Sequence, residues 1–183
     1  MKKTLLILFL IPIILVGLSG CGKTNNAEKK TDKQLVLEDT KLGLKTTFDY
    51  NEKTNITDIE YDNDGASKEL TFVMEDQDAE IQMYYTSMSD KMYKTTQESR
   101  SKQKYYKEYK FGDYKAYAYS EYGSTIKLNI LLKANKNKMY DILFVDMERL
   151  DTDESIVMAE VLETEELQNL FKSMNFKKTN KQQ

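Results

Sequence analysis

The chain has 183 residues, with 27 Lys plus Arg against 30 Asp plus Glu (net charge −3), one Cys, and neither His nor Trp. That length suits one medium domain, and the mild acidity argues against a dedicated nucleic-acid binder, which carries a strongly basic balance. Without His the commonest general base and metal ligand are both missing, and a single Cys excludes an internal disulfide or a cysteine-built zinc site.

Lys2 and Lys3 open the chain, every residue from Leu5 to Val16 except Pro12 is apolar, and Gly17, Ser19 and Gly20 follow. A cationic start, an apolar stretch and small residues are the order of a secretory signal. Residues 4 to 18 would form roughly 23 Å of helix, short of the roughly 30 Å hydrocarbon core of a bilayer. A signal covering 1–20 is therefore expected, not a retained span.

The tetrapeptide Leu18-Ser19-Gly20-Cys21 resembles the lipobox of bacterial lipoproteins. The resemblance implies cleavage after Gly20, a thioether-linked diacylglycerol on Cys21, and often an amide-linked third chain. Two or three acyl chains hold a protein stably where one is marginal. The expected location is the extracytoplasmic face of the cell membrane, with the membrane as a partner through Cys21. Enrichment in Lys, Asn, Tyr and Ile, with a single Pro, is the bias of an AT-rich coding sequence, as in low-GC Gram-positive bacteria.

The remaining 163 residues carry 25 basic and 30 acidic side chains, net −5. Residues 22–34 hold one Ala and no other apolar residue, too little to order themselves. Residues 21–34 are read as lipidated Cys and tether, 35–177 as one domain, and 178–183 as a polar tail, with fraying from Lys177 onward.

Inside the domain the apolar pattern mostly has period two. Leu44, Phe48 and Tyr50 share one face of a strand, against Lys45, Thr47 and Asp49. Residues 55–61 and 67–74 flank Asn63-Asp64-Gly65, a hairpin signal, and Ile81, Met83 and Tyr85 mark the next strand. Residues 88–103 lose the alternation and carry Met88, Met92 and Thr95 at helical spacing. Strands then return over 105–111 and 114–122 around Gly112-Asp113, and over 126–132. Residues 139–145 are apolar on both faces, as a central strand is. Leu167, Leu170, Phe171 and Met174 form an i, i+3, i+4, i+7 stripe behind a Thr164 cap, and 153–162 reads as a further helical turn.

The expected class is α+β: an antiparallel β-sheet with about two helices packed on it. The strand Leu44–Tyr50, the hairpin and helix, the segment Tyr109-Lys110-Phe111-Gly112-Asp113-Tyr114-Lys115-Ala116-Tyr117, and the closing helix running into Met174-Asn175-Phe176 resemble the PsbP/Mog1-like fold. That resemblance spans about residues 42–177 and implies a binding or assembly factor without catalysis.

Three features bear on chemistry. Asp62-Asn63-Asp64-Gly65 invites a calcium loop, yet an EF-hand beginning at Glu60 needs a bidentate Glu where Thr71 stands, so a turn is preferred. Asp146, Glu148, Asp151, Asp153 and Glu154 gather acids with no evident partner and read as a solvated loop. Residues 90–110 are net +4, between acidic stretches of net −8 over 52–80 and −9 over 141–166. Lys102, Lys104 and Lys107 interleave there with Tyr105, Tyr106 and Tyr109, and Tyr117 and Tyr119 follow on a strand face shared with Lys115 and Glu121. Those eight Lys and Tyr residues are the candidate contact surface, for a protein or cell-envelope partner, or alternatively for an anionic wall polymer, lipid or small molecule. Packing within the sheet explains the same tyrosines. Ser without His and the absence of a Gly-rich phosphate loop leave no catalytic constellation, so no enzyme, cofactor or metal is expected.

Overall fold

The computed structural model describes residues 33–62, 69–122, 125–133, 139–150 and 158–179. The signal, the lipobox with Cys21 and most of the tether lie outside them, as do Asn63-Asp64-Gly65 and the acids at 151, 153 and 154. Ten strands and three helices follow in order: β1 (Lys33–Asp39), β2 (Leu44–Tyr50), β3 (Ile56–Asp62), β4 (Glu69–Met74), β5 (Ala79–Ser89), α1 (Asp90–Arg100), β6 (Lys107–Phe111), β7 (Tyr114–Tyr122), β8 (Thr125–Leu132), β9 (Met139–Arg149), α2 (Met158–Leu162), α3 (Glu165–Lys172) and β10 (Asn175–Lys178).

The strands form two antiparallel sheets, one ordered β1-β2-β10 and one ordered β3-β4-β5-β9-β8-β7-β6. The α+β class with antiparallel sheets is therefore observed, with two sheets where one was expected; the short α2 falls within 153–162, read as a further helical turn beside the two main helices. β9 is central, between β5 and β8: Leu143, Val145 and Met147 point into the main core while Ile142 is buried on the opposite face. That core lies between the sheets, where Leu35, Phe48, Phe72, Ile81, Leu128 and Phe171 are fully buried, and α2 and α3 close it. Phe171 of α3 touches Phe111 of β6 (centroids 5.0 Å) and Phe48 of β2 (6.2 Å), so one ring joins helix and both sheets.

Four local expectations change. Lys33 and Gln34, assigned to the tether, are the first pairs of β1, opposite Tyr50 and Asp49. Lys177 and Lys178, assigned to fraying and tail, pair with Lys45 and Leu44, because β2 still has a free edge for a partner. Thr164 does hold the N-cap position of α3, but its hydroxyl donates to Val161 O at 2.7 Å and caps nothing. In α1 the buried residue is Tyr93, while Met92 is 58% exposed. A one-residue phase shift rotates the face by about 100°, and here the ring supplies more apolar contact than the thioether.

Candidate functional site: the surface around β6

α1 starts at Ser89, whose hydroxyl accepts from Met92 N at 3.2 Å, and crosses the outer face of the large sheet. Beneath it the rings run as a chain: Tyr93 lies 5.6 Å from Tyr117, and Tyr117 lies 6.0 Å from Tyr106 and 6.1 Å from Tyr119. Arg100 sits 4.8 Å above Tyr119. Tyr117 is 0% and Tyr119 3% exposed. Their mixed strand face left both contact and sheet packing open, and their burial decides for packing and removes them from the contact surface: the helix covers the middle of β7, so the charges at neighbouring positions say little about these two. They support the surface from below and do not form it. Burial pushes the Tyr93 phenol up to about 12 and raises Tyr117 as well.

The chain leaves α1 through residues 101–106, pinned where Ser120 N donates to Lys104 O at 3.2 Å. Tyr105 adopts φ +63, a left-handed backbone that strains a residue carrying a Cβ by roughly 1–2 kcal/mol. Its ring lies 4.6 Å beneath the Lys104 ammonium. Next to it, Tyr106 OH donates to Glu108 Oε1 at 2.9 Å, and Gln97 Nε2 donates to both, at 3.1 and 3.2 Å. This triad ties the helix to the edge strand.

On the other side of β6, Lys107 Nζ and Tyr109 OH both donate to Glu163 Oε1, at 2.7 and 2.5 Å. Glu163 follows α2, so the contact joins the edge strand to the helical layer. Lys107 first, then the Tyr109 hydroxyl, holds the Glu163 carboxyl below the usual carboxylate range, while burial, and then that carboxylate, raises Tyr109. The result is a groove of about 600 Å³ lined by Tyr105, Tyr106, Lys107 and Tyr109 on one wall and Ala159, Glu160, Glu163 and Thr164 on the other.

Of the eight predicted residues, four line this groove, Lys104 flanks it over Tyr105, and Lys102 is exposed outside its lining. Tyr117 and Tyr119 are buried beneath α1. Gln97, Glu108 and Glu163 went unmarked in the sequence, since each acts through a partner that only the fold brings near. The phenols whose ionisation is raised stay protonated at neutral pH, so chemically this surface offers hydroxyl donors, ring faces and ammonium groups. Among the described residues no group of three or more acidic or sulfur ligands could hold a metal.

A folded pKa below the unfolded one adds stability that is present above the unfolded value and is lost as pH falls through the folded value. Glu163→Gln is therefore expected to melt below the parent at pH 6–7, with the gap narrowing as pH falls below the ordinary glutamate range. Thermal melts across that range check it; a gap that persists in acid would assign the loss to packing and not to the charge.

The chain matches no protein-family model, no curated protein and no solved structure.

Proposed function

We propose that this is a lipid-anchored extracytoplasmic lipoprotein whose domain is a non-enzymatic binding or accessory module at the membrane surface, and that the groove beside β6 is where it meets a protein partner. The groove carries the reading. It combines three half-buried tyrosines, a strained backbone at Tyr105 and the Lys104 ammonium over that ring, and aromatic residues with a polar tip are favoured at contact surfaces. Strain kept at an exposed loop is a feature of functional positions.

Anchoring is argued from Leu18-Ser19-Gly20-Cys21. No helix among the described residues is long and apolar enough to cross a membrane. A lipid on Cys21 would confine the domain to the surface and raise its effective concentration for partners held there. The finer fold assignment, PsbP/Mog1-like, belongs to this proposal. It is supported by the early strand β2, the β6–β7 hairpin and the closing helix α3 running into Met174-Asn175-Phe176.

The test is amine-reactive crosslinking on intact cells followed by mass spectrometry, with Cys21→Ser as the control. A membrane or secreted protein captured reproducibly through Lys104 or Lys107 is the expected result. No protein enriched over the control would overturn the accessory-module reading.

A further inference from the structure

A second concavity lies on the α1 side of the sheet, between that helix and the ends of β6, β7 and β8, with a volume of about 940 Å³. Four of its lining residues are lysines from separate places in the fold: Lys94 in α1, Lys110 in β6, Lys115 in β7 and Lys133 after β8. Lys110 and Lys115 are direct cross-strand partners. Like charges in that position repel and destabilise a sheet, a cost that neutral residues would have avoided.

Three acids, Asp90, Glu108 and Asp113, share the lining with the four lysines. Asp90 is engaged with Lys94 at 3.7 Å and with the Tyr140 hydroxyl, and Glu108 accepts from Tyr106 and Gln97. Asp113, in the hairpin turn, also lines the cleft. Lys110, Lys115 and Lys133 have no carboxylate among the described residues at ion-pair distance; Lys133 instead stands 5.7 Å over the Tyr140 ring. Tyr93 and Leu131 add apolar lining.

We propose that this cleft binds a linear phosphate-bearing polyanion. Lys ammoniums are point charges suited to phosphate, and each is weak alone at an exposed site. A ligand gains affinity by meeting several, which a repeating anion does and a single small anion does not. The concave shape admits a chain and holds off a flat bilayer. Elsewhere the described residues repel such a ligand, with net −8 over 52–62 and 69–80 together and net −6 over 141–150 and 158–166 together, so the field favours this cleft. The inference does not depend on the anchor or on the groove beside β6.

The experiment titrates fluorescent linear inorganic polyphosphate into the full chain in non-ionic detergent at several salt concentrations. Two triple variants are compared: Lys110→Gln/Lys115→Gln/Lys133→Gln, and the charge-matched Lys33→Gln/Lys41→Gln/Lys53→Gln on the small sheet and its turns. Unchanged thermal melting confirms that both still fold. The cleft triple should lose about tenfold or more in affinity and lower the salt slope by about two to three, by counterion-release scaling; the control should stay within about twofold. Equal losses in both triples, or no binding by the parent at low salt, would overturn the site. Glycerol phosphate competing as well as the polymer at equal phosphate would overturn the linear ligand. Polyglutamate of matched charge competing equally would overturn phosphate in favour of an acidic peptide.

Discussion

Phe171→Ala is expected to destabilise the domain by about 3–5 kcal/mol, the usual cost of emptying a buried aromatic site. The ring is 0% exposed and meets Phe111 from the large sheet and Phe48 from the small one. Its loss opens a cavity where three layers meet. Against the 5–15 kcal/mol that holds typical domains together, that is a large share, corresponding to a fall in Tm of roughly 6–20 °C at this chain length. Phe171→Leu keeps most of the volume and should cost less than about 1.5 kcal/mol. Denaturant midpoints at constant slope measure both. A loss under about 1 kcal/mol for the alanine variant would mean that α3 is not locked to the sheets as described.

Why this helix was legible while other elements were not comes down to the range of the interactions that define them. The stripe Leu167, Leu170, Phe171 and Met174 needs only helical periodicity, and all four are buried. The same holds for β2, β5 and β8, where alternation marks the buried face, and for β9, whose apolar run marks the centre of the sheet. The hairpin pairing of β3 with β4 was likewise readable from its flanks. β10 has no such signature: Asn-Phe-Lys-Lys is ordered by pairing with a strand far earlier in the chain. For Tyr117 and Tyr119 contact and packing both stayed open, because alternation reports which residues share a face, not whether a helix later covers it. Of the candidate surface, the interleaved Lys and Tyr of 104–109 were visible, but the opposite wall supplied by Glu163 was not, since no local pattern joins positions 107 and 163.

Cys21→Ser has the largest expected effect on location. If Cys21 carries diacylglycerol, the variant should incorporate no labelled fatty acid and keep its first twenty residues. Its intact mass then differs from the parent by the lipid lost and the signal retained. The membrane-bound fraction of mature protein should fall on the order of tenfold or more, because each buried methylene contributes about 0.8 kcal/mol and two chains hold what one cannot. Cell fractionation, fatty-acid labelling and intact mass read this together. Equal mass and equal fractionation in parent and variant would refute lipidation at this residue and leave the groove and the cleft to be judged alone.

The order β1-β2-β10 sets a timetable for folding. β1 and β2 are neighbours in sequence and can pair as soon as both exist, but β10 joins Asn175 to Thr47 across a loop of roughly 130 residues. Closing such a loop costs on the order of 4 kcal/mol in chain entropy, which the rest of the domain must offset by holding the ends together first. The small sheet is thus completed last, by nearly the last described residues to be synthesised. A chain cut short before position 175 would carry every strand of the large sheet and still leave one side of β2 open, a bare edge that invites pairing with another molecule.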